Sequence, residues 1–108
     1  MDEQRLINLM QDLIGGELPA LRNKGRSSDI RIVNKTIYFI RGKSKESVKI
    51  AYLISAFNML KENKKFESKE FDDNFKYHFC SKTFFFQLLR YFNYATVEPK
   101  GNTYLIYI

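Results

Sequence analysis

Apolar residues recur at helical spacing near the start of the chain: Leu6, Met10 and Leu13, with Ile7 and Ile14 beside them and Gln4, Gln11 and Asp12 facing away. The pattern predicts an amphipathic helix over residues 2–14, capped by Asp2 and stopped by Gly15-Gly16. Its stripe of Leu6, Met10 and Leu13 needs cover, either from its own domain or from a second copy of the chain. Residues 15–29 lose this periodicity and predict a loop, with one helical turn at 18–22. The β-rich runs 30–33 and 36–40 flank Asn34-Lys35 and predict a hairpin with a two-residue turn. Pairing Val33 with Thr36 sets Ile32 opposite Ile37, Arg31 opposite Tyr38 and Ile30 opposite Phe39. Ile30, Ile32, Ile37 and Phe39 then share an apolar face. Arg31 and Tyr38 take the other, as a cation–π pair or a wet, ligand-facing surface.

The longest helical pattern covers 44–63, opened by Ser44 or Ser47 and apolar over most of its circumference, as expected of a central helix. Ser68 caps a short helix over 69–75, anchored by Phe71 and Phe75. Ser81 opens a last helix that ends near Asn93, where Asn supplies a left-handed cap. A final hairpin follows, with strands either side of Pro99-Lys100-Gly101-Asn102. Whichever pair of residues centres that loop, Ala95, Val97, Tyr104, Ile106 and Ile108 share one face.

Charge changes the picture more than composition does. The 108 residues, with 44% hydrophobic and 16% aromatic content, suffice for one domain with its own core. One cysteine, Cys80, fits a reducing interior, and the absence of a basic head followed by an apolar run argues against a signal peptide. No apolar run is long enough to span a membrane, so the expectation is an intracellular, cytoplasmic domain, in a host cell if the chain is viral. The net charge of +6 is unevenly placed. Residues 22–49 carry nine basic side chains against Asp29 and Glu46, a net of +7, whereas residues 1–21 carry a net of −3. Such asymmetry favours a polyanionic partner, nucleic acid before others.

From residue 47 onward the order of helix, short helix, helix and hairpin resembles the winged helix-turn-helix superfamily. Ser81, Thr83-Phe84, Leu88, Tyr91 and Thr96-Val97 stand where many winged-helix regulators place the small polar opener, the Thr and apolar positions of the last helix and the first strand residues. The resemblance implies an α+β fold. Three helices and a C-terminal β-hairpin wing form a core over 44–108, and residues 1–43 add a helix, a basic loop and a β-hairpin. It also implies that the last helix reads double-stranded DNA in a small, homodimeric transcriptional regulator. Lys82, Gln87 and Arg90 would meet base edges or phosphates, and Thr83 a phosphate at the helix start. Lys100 would sit at the wing tip, and Lys43, Lys45 and Lys49 near the start of the first helix of the core. A Phe/Tyr/Lys-rich chain of this size is compatible with a viral, phage or mobile-element origin. Phe85 and Phe86 fall on the outer face in this alignment. They have three accounts: packing under the N-terminal elements, a dimer interface, or stacking on unpaired bases. Two other functions compete with duplex reading, a protein-docking winged helix in a larger assembly and a single-stranded DNA-binding accessory protein.

Catalytic chemistry finds little footing. The glycines are scattered and lack a following Lys-Ser/Thr, so no phosphate loop is expected. His78 and Cys80 are too few for a zinc site and more fitted to packing than to Cys–His catalysis. Glu70, Asp72 and Asp73 suit the start of a helix. No enzyme, metal or cofactor is expected.

Overall fold

The computed structural model describes residues 1–21, 25–75, 79–101 and 103–108, with the backbone alone at 66, 72–75 and 79–81. The chain is mixed α+β, with two three-stranded antiparallel sheets. Helix α1 (Glu3–Leu9) is followed by a 3-10 turn, Gln11–Leu13. Strands β1 (Ser27–Val33), β2 (Thr36–Arg41) and β3 (Ser44–Lys49) form the first sheet in that order. Helix α2 (Ile50–Asn63), strand β4 (Lys65–Glu67), helix α3 (Ser68–Phe75), helix α4 (Phe79–Tyr91) and strands β5 (Thr96–Lys100) and β6 (Thr103–Tyr107) follow. The second sheet runs β4-β6-β5.

Asp2 caps α1 as expected, its Oδ1 accepting from the Arg5 amide at 2.8 Å. The α-helix is shorter than the 2–14 pattern because the chain tightens at Met10. Leu6, Met10 and Leu13 nevertheless stay on one side and are buried, with α1 packed on α2. Their partner is the chain's own core, which corrects the expectation of a dimer contact there. In place of a helical turn at 18–22, Leu18 bridges Ser27 and closes a loop; residues 22–24 lie outside the described residues.

The first hairpin keeps the expected register at Val33↔Thr36, Ile32↔Ile37 and Arg31↔Tyr38. It then departs: Asp29 takes φ +50°, and Asp29-Ile30 form a bulge before Ser28↔Ile40 and Ser27↔Arg41 resume the ladder. The bulge turns the Ile30 backbone outward to Gly15 and Gly16, which hydrogen-bond it at 2.8 and 3.3 Å. Its side chain still reaches the core.

The segment 44–49 is the largest correction. It is a strand, paired with β2 from Arg41↔Ser44 to Thr36↔Lys49 across a second two-residue loop, Gly42-Lys43. The helix begins only at Ile50, whose amide is held by the Lys35 carbonyl at 3.0 Å. Lys43 and Lys45 therefore belong to a hairpin rather than to the start of a helix. The central helix is also a different one. In α2 the buried residues Ile50, Leu53, Ala56, Phe57 and Leu60 form one side, whereas in α4 every residue from 83 to 89 is buried. A helix covered all round lies in the middle of the fold. The last hairpin pairs Lys100↔Thr103 next to its turn and Val97↔Ile106 further along. Asn93 adopts the expected left-handed conformation, φ +52°. Ser68 ties α3 to this sheet by accepting the Tyr104 amide at 3.2 Å.

Candidate nucleic-acid interface

Helix α4 carries most of the side chains expected to read DNA, so its surroundings decide that reading. Successive residues of an α-helix step round the axis by about 100°, and the three phenylalanines accordingly point three ways. Phe84 stacks on Phe39 of β2 at 4.4 Å. Phe85 packs edge-on against Phe57 of α2 at 5.1 Å and lies 5.6 Å from Phe71 of α3. Phe86 meets Phe71 and, at 5.9 Å, Tyr104 of β6. All three are at most 1% exposed. Phe85 and Phe86 are buried in the core, but against α2, α3 and β6 rather than under the N-terminal elements; enclosed by their own chain, they offer no surface to a second copy or to a base.

The polar residues of the helix are similarly committed inward. Gln87, 1% exposed, comes back to the side of the first sheet that Phe84 covers. Its Oε1 accepts from the Ser27 hydroxyl at 2.7 Å, and its Nε2 donates to the Pro19 carbonyl at 2.9 Å. A buried amide needs such partners, and one that has them is not free for an adenine edge. Thr83 is buried and lies a full turn inside the helix, which begins at Phe79, so it is not placed to bind phosphate at a helix start. Arg90 is exposed, but its guanidinium spans the loop before β1. Nη2 donates to Ala20 O at 2.6 Å and to Pro19 O at 3.5 Å, and Nη1 to Leu21 O at 3.3 Å. Lys82 is half-buried. The outer-face placement expected for Phe85, Phe86 and Gln87 is therefore corrected: α2, α3 and β6 cover the two phenylalanines, and the first sheet with the loop before it covers Gln87.

At the β5–β6 hairpin, the exposed Lys100 Nζ lies 2.7 Å from Glu67 Oε1. That hydrogen bond, then the charge of Lys100 and a smaller effect of Lys65, hold the Glu67 carboxyl below the usual carboxylate range. His78 lies outside the described residues, as do the side chains of Asp72, Asp73 and Cys80.

The open basic surface lies elsewhere, on the face of the first sheet turned away from α4. Strand alternation sends Ile37, Phe39 and Val48 inward and leaves Arg31, Tyr38, Lys45, Ser47 and Lys49 outward. Arg31 faces Tyr38 directly across β1–β2, and Tyr38 faces Ser47 across β2–β3. Lys45 and Lys49 flank Ser47 and are exposed, as is Lys43 in the loop. Lys49 Nζ stands 5.8 Å from the ring of Tyr52, at the start of α2. Asp29 neighbours this face, 3.8 Å from Arg31 and exposed like it, whereas Glu46, between Lys45 and Ser47, pairs with Phe39 and alternates to the other side of the strand. The sequence reading sets Tyr38 on a ligand-facing surface and Lys49 with Lys43 and Lys45 near a helix start; it does not join them on one face, and passes over Tyr52, because 44–49 reads there as helix. The signal that finds them is the alternation Lys45-Ser47-Lys49 around Val48, after a two-residue Gly42-Lys43 turn.

Comparison with family models, with curated proteins and with solved structures returned no match.

Proposed function

We propose that this protein binds nucleic acid by phosphate-directed contacts on the outer face of its N-terminal sheet. In this reading residues 50–108 are a winged-helix unit whose last helix is a scaffold rather than a base reader. The order α2, α3, α4 and the closing β5–β6 hairpin supports the winged-helix part. The observation that carries the binding part is the division of labour between surfaces. The polar groups of α4 are engaged inside the molecule, while Arg31, Lys45 and Lys49 stand exposed together on one face, with Lys43 at its end. A phosphate chain is the polyanion such a face suits, and release of its counterions makes the binding salt-dependent.

The test is fluorescence anisotropy with labelled duplex and single-stranded probes of equal length across a salt series. Lys45→Gln/Lys49→Gln is expected to weaken binding and to flatten the slope of log K against log salt by about 1.4 on single strands or about 1.8 on duplex, two phosphate contacts' worth. Equal affinity and slope in the double variant, with the loss appearing instead in Lys82→Ala, would return the site to the last helix.

A further inference from the structure

We infer that Tyr38 is a stacking platform for an unpaired base, so that the polymer bound on this face is single-stranded. The inference rests on the phosphate-binding reading above and adds the strand state. Tyr38 occupies the middle of the central strand, with β1 on one side and β3 on the other, and it is 42% exposed. Its chain neighbours Ile37 and Phe39 are sunk in the core, so the backbone beneath the ring is firmly held. Directly across from it are Arg31 and the small Ser47, leaving the ring uncovered on the β3 side. Lys45 and Lys49 lie diagonally beyond Ser47, about 13 Å apart along the strand at ~3.3 Å per residue. The arrangement is a flat ring with cations on both flanks, which is what a base and its adjoining phosphates require. Val33 and Ile40 add apolar surface on the same face, and the Lys49–Tyr52 pair extends it toward α2.

Geometry disfavours a duplex here. A B-form major groove is about 12 Å wide and admits a helix or a two-stranded ribbon. Tyr38 sits instead on the middle strand of three, flanked on both sides, and does not project from an edge or a tip. Bases in a duplex show such a surface only their edges, whereas an unpaired base offers its face. The Asp29–Arg31 pair is weak, since both groups are exposed, and Arg31 can exchange it for a phosphate.

The chain contains no tryptophan, which makes a direct test simple. Tyr38→Trp provides a single indole whose fluorescence should be quenched by oligo(dT) in proportion to occupancy, with little quenching by a hairpin duplex. By anisotropy, Tyr38→Thr, which keeps a strand-favouring residue, is expected to weaken oligo(dT) binding about ten-fold and leave duplex binding within about two-fold. Tyr38→Phe should keep wild-type affinity. Circular dichroism of each variant controls for folding. Unchanged oligo(dT) affinity in Tyr38→Thr, with Lys45→Gln/Lys49→Gln still impaired, would overturn stacking and leave phosphate binding standing. Failure of the wild-type protein to bind either probe at low salt would overturn both.

Discussion

The two faces of the N-terminal sheet are built from alternate residues of the same three strands, yet they have opposite roles. Inward, Ile37, Phe39 and Val48 are at most 5% exposed and meet the apolar wall made by α4. Outward, Arg31, Tyr38, Lys45 and Lys49 keep their contact with water. The inner face supplies stability through buried apolar area, and the outer face supplies charge at almost no structural cost. The difference teaches where to look for function in this chain. The helix that carries the suggestive residues is the part most enclosed by packing, and the sheet that encloses it presents the free surface.

Disrupting the inner face should have the largest effect. Phe84→Ala removes the ring stacked on Phe39 and is expected to cost about 3–5 kcal/mol. That is a large part of the ~5–15 kcal/mol that holds a typical domain together. Urea denaturation would measure it, and a loss under about 1 kcal/mol would mean that α4 is not enclosed as described. Gln87→Ala should come next, at about 1–3 kcal/mol, because it leaves the buried Ser27 hydroxyl without its acceptor and takes from the Pro19 carbonyl one of its two donors. Ser27→Ala should then cost less in the Gln87→Ala background than it does alone, a coupling that a double-mutant cycle reads. On the outer face, Lys45→Gln/Lys49→Gln should shift stability by no more than about 0.5 kcal/mol while lowering affinity, and a larger shift would blur the division between the two faces.

The smallest effect concerns the last hairpin. Glu67 has a lowered pKa in the folded protein, so whatever its pair with Lys100 contributes is present above the unfolded pKa and is lost as pH falls through the folded one. Both groups are exposed, so little change in melting temperature is expected in Lys100→Ala at neutral pH. The Glu67 carboxyl should titrate higher in that variant by NMR; an unmoved titration would show the pair to be absent in solution.

Much of the local structure was legible in the sequence, because it is dictated locally. Asp2 and Asn93 act as caps, Asn34-Lys35 makes its turn with both residues at positive φ, and the last hairpin closes in one of its two expected registers. What failed depends on distant partners. Ser44–Lys49 has the serines and the glutamate of a helix start and runs into α2 without a loop, so its own composition satisfies either reading; pairing with β2 decides for the strand. The three phenylalanines were assigned an inner and an outer side on the assumption that one side of the last helix is open. Phe57 of α2, Phe71 of α3 and Tyr104 of β6 close the side of Phe85 and Phe86, while the sheet of residues 27–49 covers Phe84 and Gln87. The charge asymmetry of the basic segment is legible in the sequence, but the strand that displays Lys45 and Lys49 is hidden there within a helical pattern.

The Gln87 contacts have a consequence for how the molecule is made. Ser27 and Pro19 wait for a partner 60 and 68 positions further along the chain. At ~5–20 residues per second on a ribosome, the interval is roughly 3–14 s. A hairpin of β1 and β2 formed in that interval would have its apolar side without the cover that Phe84 gives Phe39 in the folded protein. The nascent protein is therefore most exposed to misassociation midway through its synthesis, and the emergence of α4 ends that period.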